Sequence, residues 1–580
     1  MTTTTVELHH ERVDDIPLLL GVAQQLGLPE ILEKHLGSHH LHQGLSNGWL
    51  ASGWLAFILS EANHCKASVQ GWAQRQHHTL QTILGQPLRP VEFSDDRLSI
   101  VLRRLHDADW PSLEADLWQA TCQVYEIPLE CVRLDASTSY GYHQTTDDGV
   151  MQFGHSKDHR PDLPQLKLMA AAAQPTSHLI ACDIVPGNAA DDPLYLPLIR
   201  RTRKQLGRSG LLYAGDCKMA ALATRAELAW HKDYYLMPLP KTGETARAWD
   251  NWVGAAVSGK KPLHDLYRVK EGEDDPELFA RGYEFERTLQ AQVDDKAVTW
   301  SERVQVICSL SLAERQARQL DQRLQAAATE LAGLTPPPGR GHHPYREEAV
   351  LAEAVAEVIT RHRVAGLLEV NWRREEVIEE HYVGRGRGGA DRPKRQEVRV
   401  RYEITSVKRQ EKAITAEKEF YGWRVQVTNL ESERCGLERA VLIYNGGWSV
   451  ERDFHMVKDR PLGIPPLYVR EDDQIIGLTR LLTIALRVLT WIELQVRAGL
   501  EAAGEELSGL YEGQPKRKTS RPTAVRLLRA IARMEITVIA VKTAEGCVWH
   551  LRDLPSLLRR ILSLLRLSPD VYLRLAANSG

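Results

Sequence analysis

Residues 132–140 read V-R-L-D-A-S-T-S-Y, and this stretch decides the fold. Val132 and Leu134 alternate with Arg133, a pattern that predicts a short half-buried strand. The strand delivers Asp135 into a run of small and hydroxyl residues, where a metal ion and a phosphate would have room. An Asp at the end of a strand also commonly caps a turn. The pattern alone leaves both interpretations open.

The next hundred residues predict a sheet in which helices alternate with strands. Apolar runs and alternations indicate four further strands, at residues 165–171, 179–185, 210–215 and 233–239. An arginine-rich helix is expected before the third of these runs and an alanine-rich helix after it. The predicted order is therefore three strands, helix, strand, helix, strand. The fourth strand ends at Asp216, 81 residues after Asp135.

Composition limits the class of protein. The chain has 580 residues, 43% of them hydrophobic and 26% charged, which predicts a globular protein of about three or four domains. A net charge of −3 means that any contact with nucleic acid must come from local basic patches. The eight cysteines are scattered and include no C-x-x-C pair, which argues against a zinc site or a disulfide framework.

Two features bear on location. The amino terminus lacks the basic-then-apolar pattern of a signal peptide. The apolar stretch at 475–496 carries Arg480, Arg487 and Glu493, so we expect a buried helix there and no membrane span. The protein is therefore expected to be cytoplasmic.

Residues 1–125 are predicted to form a helical amino-terminal domain. Within it, a helix over residues 97–105 would bury leucine and valine and place Arg97, Arg103 and Arg104 on its outer face. That face would suit either DNA or plain solvent.

Residues 244–438 follow a different pattern, which predicts an α+β segment. Ser311 and Glu314 predict a capping box at the start of a long helix. Alternating strands follow, and the glycine- and arginine-rich stretch at 384–395 is either a linker or a loop that follows phosphates.

A third anchor lies at residues 439–460. Glu451 and Lys458 are seven residues apart, two helical turns, so both side chains would lie on one face of a helix. Trp448 would flank Glu451 on that helix. By itself, this pattern also suits an ordinary amphipathic helix.

Taken together, these anchors resemble the DDE transposases of bacterial insertion sequences, and most closely the subgroup with a β-rich insert in an RNase H-like core. That subgroup has a signature of Tyr, two residues, Arg, three residues, Glu, six residues, Lys. Tyr444, Glu451 and Lys458 fall on this spacing, whereas Gly447 stands at the Arg position. Further segments that resemble the subgroup lie at residues 140–142, 154–165 and 185–191.

The resemblance implies an α/β architecture with five parts. An RNase H-like catalytic core would be interrupted by a long α+β insertion and flanked by a helical amino-terminal domain, possibly DNA-end binding, and a small carboxy-terminal accessory segment. In chain order these parts are residues 1–125 (helical), 126–243 (core), 244–438 (insertion), 439–510 (core) and 511–580 (accessory).

The resemblance also implies the chemistry. Asp135, Asp216 and Glu451 would be the catalytic triad and would bind Mg²⁺, with Mn²⁺ as a substitute, because hard cations prefer carboxylate oxygens. Two such ions roughly 3.5–4 Å apart stabilise both the attacking and the leaving oxygen of a phosphodiester. Asp183, Asp191 and Asp233 are rival carboxylates.

The implied partners are double-stranded DNA, at the element ends and the target, and a second copy of the chain in a homodimer on DNA. Trp448 would either stack on an unpaired base or pack against the sheet. The loop next to Asp135 would contact the DNA backbone or be a simple polar hairpin. The residues expected to bind DNA are Tyr444, Lys458, Trp448, Lys157, His159 and Arg160.

Two other functions stay open at this point. One is a metal-dependent nuclease of the same fold that cuts without joining. The other is a non-catalytic DNA-binding protein derived from a transposase, which the departure at Gly447 allows.

Overall fold

The computed structural model describes residues 7–39, 43–269, 275–337, 344–384, 393–446, 462–464, 467–543 and 546–576. The chain divides into two compact units. The first unit comprises Met1–Met237, Leu289–Trp300 and Ala440–Gly580, and the second comprises Pro238–Thr288 and Ser301–Arg439.

The amino-terminal part of the first unit is helical, as predicted. Its helices are α1 (Ile16–Gln25), α2 (Leu28–Leu36), α3 (Asn47–Glu61), α4 (Lys66–Arg75), α5 (His77–Leu84), α6 (Asp95–Asp107) and α7 (Trp110–Val124). The side chain of Ser46 caps α3 by accepting a hydrogen bond from the amide of Trp49. Trp54, Trp72 and Phe93 are fully buried between these helices, and their burial supplies much of the apolar area that holds the helices together.

One arginine of the predicted outer face points inward instead. The Arg97 side chain is only 14% exposed and forms an ion pair with the buried carboxylate of Glu92. It also donates a hydrogen bond to the carbonyl of Leu45, at 2.7 Å. Its placement on the outer face was therefore wrong, because a buried carboxylate needs a cationic partner. Arg103 and Arg104 are exposed.

The long apolar helix predicted near residue 475 is α15 (Asp472–Ala503). It is long and apolar enough to cross a membrane by length and composition, but 89% of its most apolar window is buried inside the protein. It packs on α6 so closely that a methyl group at Gly477 would lie 2.1 Å from the Leu102 carbonyl oxygen. Glycine is required at this crossing.

The first unit contains five strands that confirm the predicted order of three strands, helix, strand, helix, strand. The elements are β2 (Leu129–Tyr140), β3 (Gln165–Pro175), β4 (His178–Pro186), α8 (Tyr195–Leu206), β5 (Leu212–Ala214), α9 (Leu222–Trp230) and β6 (Tyr234–Pro238). Their order across the sheet is β4-β3-β2-β5-β6. Strands β2, β3 and β4 form an antiparallel meander, and β5 and β6 run parallel to β2.

The second unit is an α+β segment. Its sheet has the order β12-β9-β8-β7, and a separate two-stranded ribbon pairs β10 with β11. The strands are β7 (His264–Val269), β8 (Pro276–Val293), β9 (Lys296–Ser309), β10 (Leu368–Tyr382), β11 (Lys394–Arg409) and β12 (Trp423–Thr428). The helices are α10 (Gly243–Val257), α11 (Leu310–Leu334), α12 (Glu348–His362), α13 (Glu411–Glu419) and α14 (Leu437–Asn445), the last of which continues into the first unit.

Two local predictions in this segment need correction. The cap of α11 is Ser309, whose hydroxyl accepts a hydrogen bond from the amide of Leu312, and not Ser311. Because β9 runs directly into the helix, Ser311 already lies inside the first turn. Lys394 and Arg395 belong to β11, so the basic stretch ends earlier than predicted, and its residues 385–392 lie outside the described part.

The carboxy-terminal tail has the predicted helix–strand–strand–helix order. It contains α16 (Ala524–Ala532), β13 (Thr537–Thr543), β14 (Gly546–Leu551), α17 (Ser556–Leu564) and the short α18 (Asp570–Leu573). The pattern had not predicted β1 (Glu7–Arg12), which pairs antiparallel with β13 from Glu7↔Lys542 to Arg12↔Thr537. The two ends of the described chain therefore share one small sheet.

Candidate carboxylate site

Asp135 and Asp216 lie at the same level on two neighbouring strands. The parallel pair β2–β5 aligns Val132 with Tyr213 and Arg133 with Ala214. This offset of 81 residues is the same as the spacing from Asp135 to Asp216. Neighbouring strands lie about 4.8 Å apart, so the sheet brings the two predicted carboxylates side by side where β5 ends.

Both carboxylates are oriented by local hydrogen bonds. Oδ1 of Asp216 accepts a bond from the Tyr195 hydroxyl at 2.7 Å and one from the Lys218 amide at 2.9 Å. Oδ1 of Asp135 accepts a bond from the amide of Ala136 at 2.7 Å. Asp216 also caps the turn that follows it, so the role as a turn cap and the place in the site are compatible.

Tyr195 is the site residue that the pattern did not reveal. It is fully buried at the start of α8. Burial and the neighbouring carboxylate of Asp216 raise its pKa far above the ordinary range of a phenol, and Asp135 adds to the effect. The hydroxyl therefore stays protonated and donates to Asp216. No sequence signal marks this tyrosine, because its role depends on how α8 packs against the sheet.

The basic loop lies beside the strand that carries Asp135. The ammonium of Lys157 donates to the carbonyl of Ala136 at 2.5 Å, and its amide donates to the hydroxyl of Thr138 at 3.1 Å. His159 is exposed, with a positive φ of 55°. Arg160 forms a two-pronged pair with Asp162, with both bonds at 2.8 Å. Lys157 is thus held next to the site, while the charge of Arg160 is already paired.

Tyr444 is held near the same strand. The guanidinium of Arg133 lies 5.2 Å from the centre of the Tyr444 ring and donates to its carbonyl oxygen at 2.8 Å. The other residues of the third anchor, Gly447, Trp448, Glu451 and Lys458, lie outside the described residues.

The rival carboxylates are occupied by ion pairs. Asp183 pairs with Arg201 at 2.9 Å, and Asp191 pairs with the buried ammonium of Lys167. The third rival, Asp233, is fully buried; it accepts from Arg203 at 2.6 Å and from the amide of residue 211 at 3.1 Å. These partners give all three carboxylates a structural role.

The donor set fits a hard divalent cation. Asp135 and Asp216 offer carboxylate oxygens from adjacent strands, which is the ligand type that Mg²⁺ prefers. Among the described residues no group of three or more His, Cys, Asp or Glu side chains could hold a metal ion. The third expected ligand, Glu451, lies outside that range.

Two aligned carboxylates at the ends of parallel strands are suited to metal-dependent phosphoryl transfer. Comparison with known families agrees with this class: the chain belongs to the family defined by the transposase DDE domain, whose profile matches residues 129–487. The matched range includes both Asp135 and Asp216. The protein is thus a DDE-type transposase by family.

Two further comparisons complete the picture. No curated protein sequence matches the chain. Among solved structures, it is similar to a piggyBac transposase in a synaptic complex with hairpin DNA, at 9% identity and a TM-score of 0.34 over 90% of this chain and 80% of that one.

Proposed function

We propose that the chain is a DNA transposase of the insertion-sequence type, which cleaves the ends of its element and joins them to target DNA. The observation that carries this proposal is the shared level of Asp135 and Asp216 on β2 and β5. The strand order, with a meander on one side of β2 and parallel strands on the other, supports an RNase H-like core. The insertion at 244–438 would interrupt that core.

In this proposal Asp135, Asp216 and Glu451 hold Mg²⁺, or Mn²⁺ in its place. When bound, the metal ions stabilise charge on the attacking and leaving oxygens of the phosphodiester. The protein presents the carboxylate oxygens in fixed directions, through the amide of Ala136 for Asp135 and the hydroxyl of Tyr195 for Asp216. Water would be the nucleophile of the first cut, and the freed 3′-hydroxyl would attack the target. No side chain forms a bond to DNA.

The proposed DNA contacts surround this site. Lys157 would meet a backbone phosphate as a point charge, since its ammonium already lies one residue from Asp135. The remaining proposed contacts are Tyr444, Lys458, Trp448, His159 and Arg160. We further propose that two copies act together on DNA, since joining two ends needs both to be held at once, and that the protein works in the cytoplasm on the nucleoid.

The test is an excision and integration assay. A plasmid carries a marker between the DNA flanks of this gene, and wild-type protein is compared with Asp135→Asn in Mg²⁺ and in Mn²⁺. The matched control is Glu130→Gln, which changes a half-buried carboxylate five residues earlier on the same strand.

The outcomes separate the candidate functions. Joined products that are lost in Asp135→Asn and kept in Glu130→Gln would support the transposase. Cleavage without joining would favour a nuclease of the same fold. DNA binding by both proteins without any cutting would mean a binding protein that has kept its carboxylates.

A further inference from the structure

Helix α14 ends against the strand that carries Asp135. Nη2 of Arg133 donates to the carbonyls of Ile443 and Tyr444, at 2.9 and 2.8 Å. The side-chain amide of Gln174, from β3, donates to the Ile443 carbonyl at 2.9 Å. The last carbonyls of a helix have no partner within the helix. Here two buried side chains from the sheet provide those partners.

The two side chains are themselves held together. Nε and Nη2 of Arg133 donate to Oε1 of Gln174, at 3.3 and 3.1 Å, and the thiol of Cys131 donates to the same oxygen at 3.3 Å. Arg133 and Gln174 are 6% and 3% exposed. We call this arrangement, with the two carbonyls it binds, the Arg133 clamp. Its geometry depends on the planar fork of a guanidinium, which a lysine ammonium cannot reproduce.

The clamp lies on the same face of β2 as Asp135. Residues two apart on a strand point to the same side, about 6.6 Å from each other along the strand. Arg133 also lies against the ring of Tyr444. The guanidinium therefore joins the end of α14 to the face of the strand from which Asp135 projects.

Stability alone does not account for a buried arginine here. Removing a guanidinium from water is costly, and a packed apolar side chain often stabilises a fold as well or better. What the guanidinium adds is direction, because one fork binds two carbonyls, an amide oxygen and an aromatic ring in a single geometry.

We propose that Arg133 and Gln174 are positioning residues that hold the end of α14 and Tyr444 in register with Asp135, and so set the geometry of the carboxylate site. This inference rests on the proposed function for its consequence in catalysis. The clamp itself consists of described residues only. It makes a claim about metal binding that can be measured without DNA.

The experiment compares Arg133→Lys in the full chain with a control, Arg480→Lys. Arg480 forms a similar clamp elsewhere, donating to the carbonyls of Leu105 and His106 at the end of α6, at 2.6 and 2.8 Å. Two readouts need no activity: amide hydrogen exchange of residues 440–446, and the affinity for Mn²⁺ from electron paramagnetic resonance of the free ion. DNA cleavage is measured separately.

In Arg133→Lys we expect faster exchange at 440–446 and a Mn²⁺ affinity about 10- to 100-fold weaker, the usual effect of losing a residue that supports a metal ligand. Arg480→Lys should change neither. If Arg133→Lys fails to fold, Gln174→Met removes only the amide donor to Ile443 and should give the same effects in smaller measure.

Two results would overturn the proposal. Unchanged exchange in a folded Arg133→Lys would show that the clamp does not hold the helix end. Faster exchange with unchanged Mn²⁺ affinity would show that the clamp is structural only. Wild-type protein that cuts no DNA, but loses Mn²⁺ affinity on Arg133→Lys, would instead refute the proposed function and support the clamp.

Discussion

Tyr195→Phe is the smallest change that tests the carboxylate site. It removes one oxygen, the hydroxyl that donates to Oδ1 of Asp216 at 2.7 Å, and it keeps the buried ring. The amide of Lys218 still donates to the same oxygen. The substitution therefore loosens the orientation of Asp216 without unfolding the end of β5.

The magnitude follows from the bond that is lost. A hydrogen bond to a charged group contributes about 1.5–3 kcal/mol, which corresponds to about 10- to 100-fold in a binding constant or rate. Because Asp216 is half-buried, water can replace part of the bond in the metal-free protein. We expect the free energy of unfolding to fall by less than about 1.5 kcal/mol, below the usual net worth of such a bond. The larger effect should appear when the carboxylate binds metal.

The assay is the rate of DNA cleavage as a function of Mg²⁺ and Mn²⁺ concentration. Tyr213→Phe is the matched control: Tyr213 is also fully buried, on β5 itself, and its hydroxyl has no hydrogen-bond partner among the residues described. In Tyr195→Phe the metal concentration for half-maximal cleavage should rise about 10- to 100-fold. In Tyr213→Phe it should stay within about twofold, since no bond to a metal ligand is lost.

An equal metal dependence in the two variants would refute the reasoning. It would mean that the Lys218 amide alone orients Asp216, and that Tyr195 serves only the packing of α8. A loss of folding in Tyr195→Phe with intact Tyr213→Phe would also contradict the expected magnitude.

Three other predictions follow from buried and charged groups. Glu114→Gln should destabilise the first unit by about 3–5 kcal/mol in urea unfolding, since it leaves the buried guanidinium of Arg487 without its counter-charge; an unchanged midpoint would contradict this. Burial raises the pKa of Asp15 from 3.8 to about 7, although the Ser60 hydroxyl donates to it at 2.6 Å. The folded protein then keeps a proton that the unfolded chain releases, so wild-type stability should fall as pH rises from about 4 to 7, by up to roughly 4 kcal/mol. Asp15→Asn should lack this slope in unfolding experiments at pH 5 and pH 8, and equal slopes would count against the buried acid. Lys157→Met should lower the slope of log affinity for DNA against log salt by about 0.9, the share of one phosphate contact, and an unchanged slope would remove Lys157 from the DNA interface.

The sequence by itself determined the order of elements in the sheet and the two carboxylates. Strand and helix periods are local properties, set by which residues face the core, so β2 to β6 could be predicted from apolar spacing. The spacing of 81 residues from Asp135 to Asp216 was also visible. Its meaning was not, because only the parallel pairing of Val132 with Tyr213 shows that the two residues share a level.

The tertiary structure decided which polar groups are partners. Tyr195 and Arg133 carried no sequence signal, and Asp183 resembled a candidate ligand until its pairing with Arg201 was seen. The partners of Arg133 lie about three hundred residues away along the chain. Local patterns report which face of an element is buried, whereas the identity of a distant partner depends on how whole elements pack. That packing, rather than any motif, arranges the side chains around Asp135.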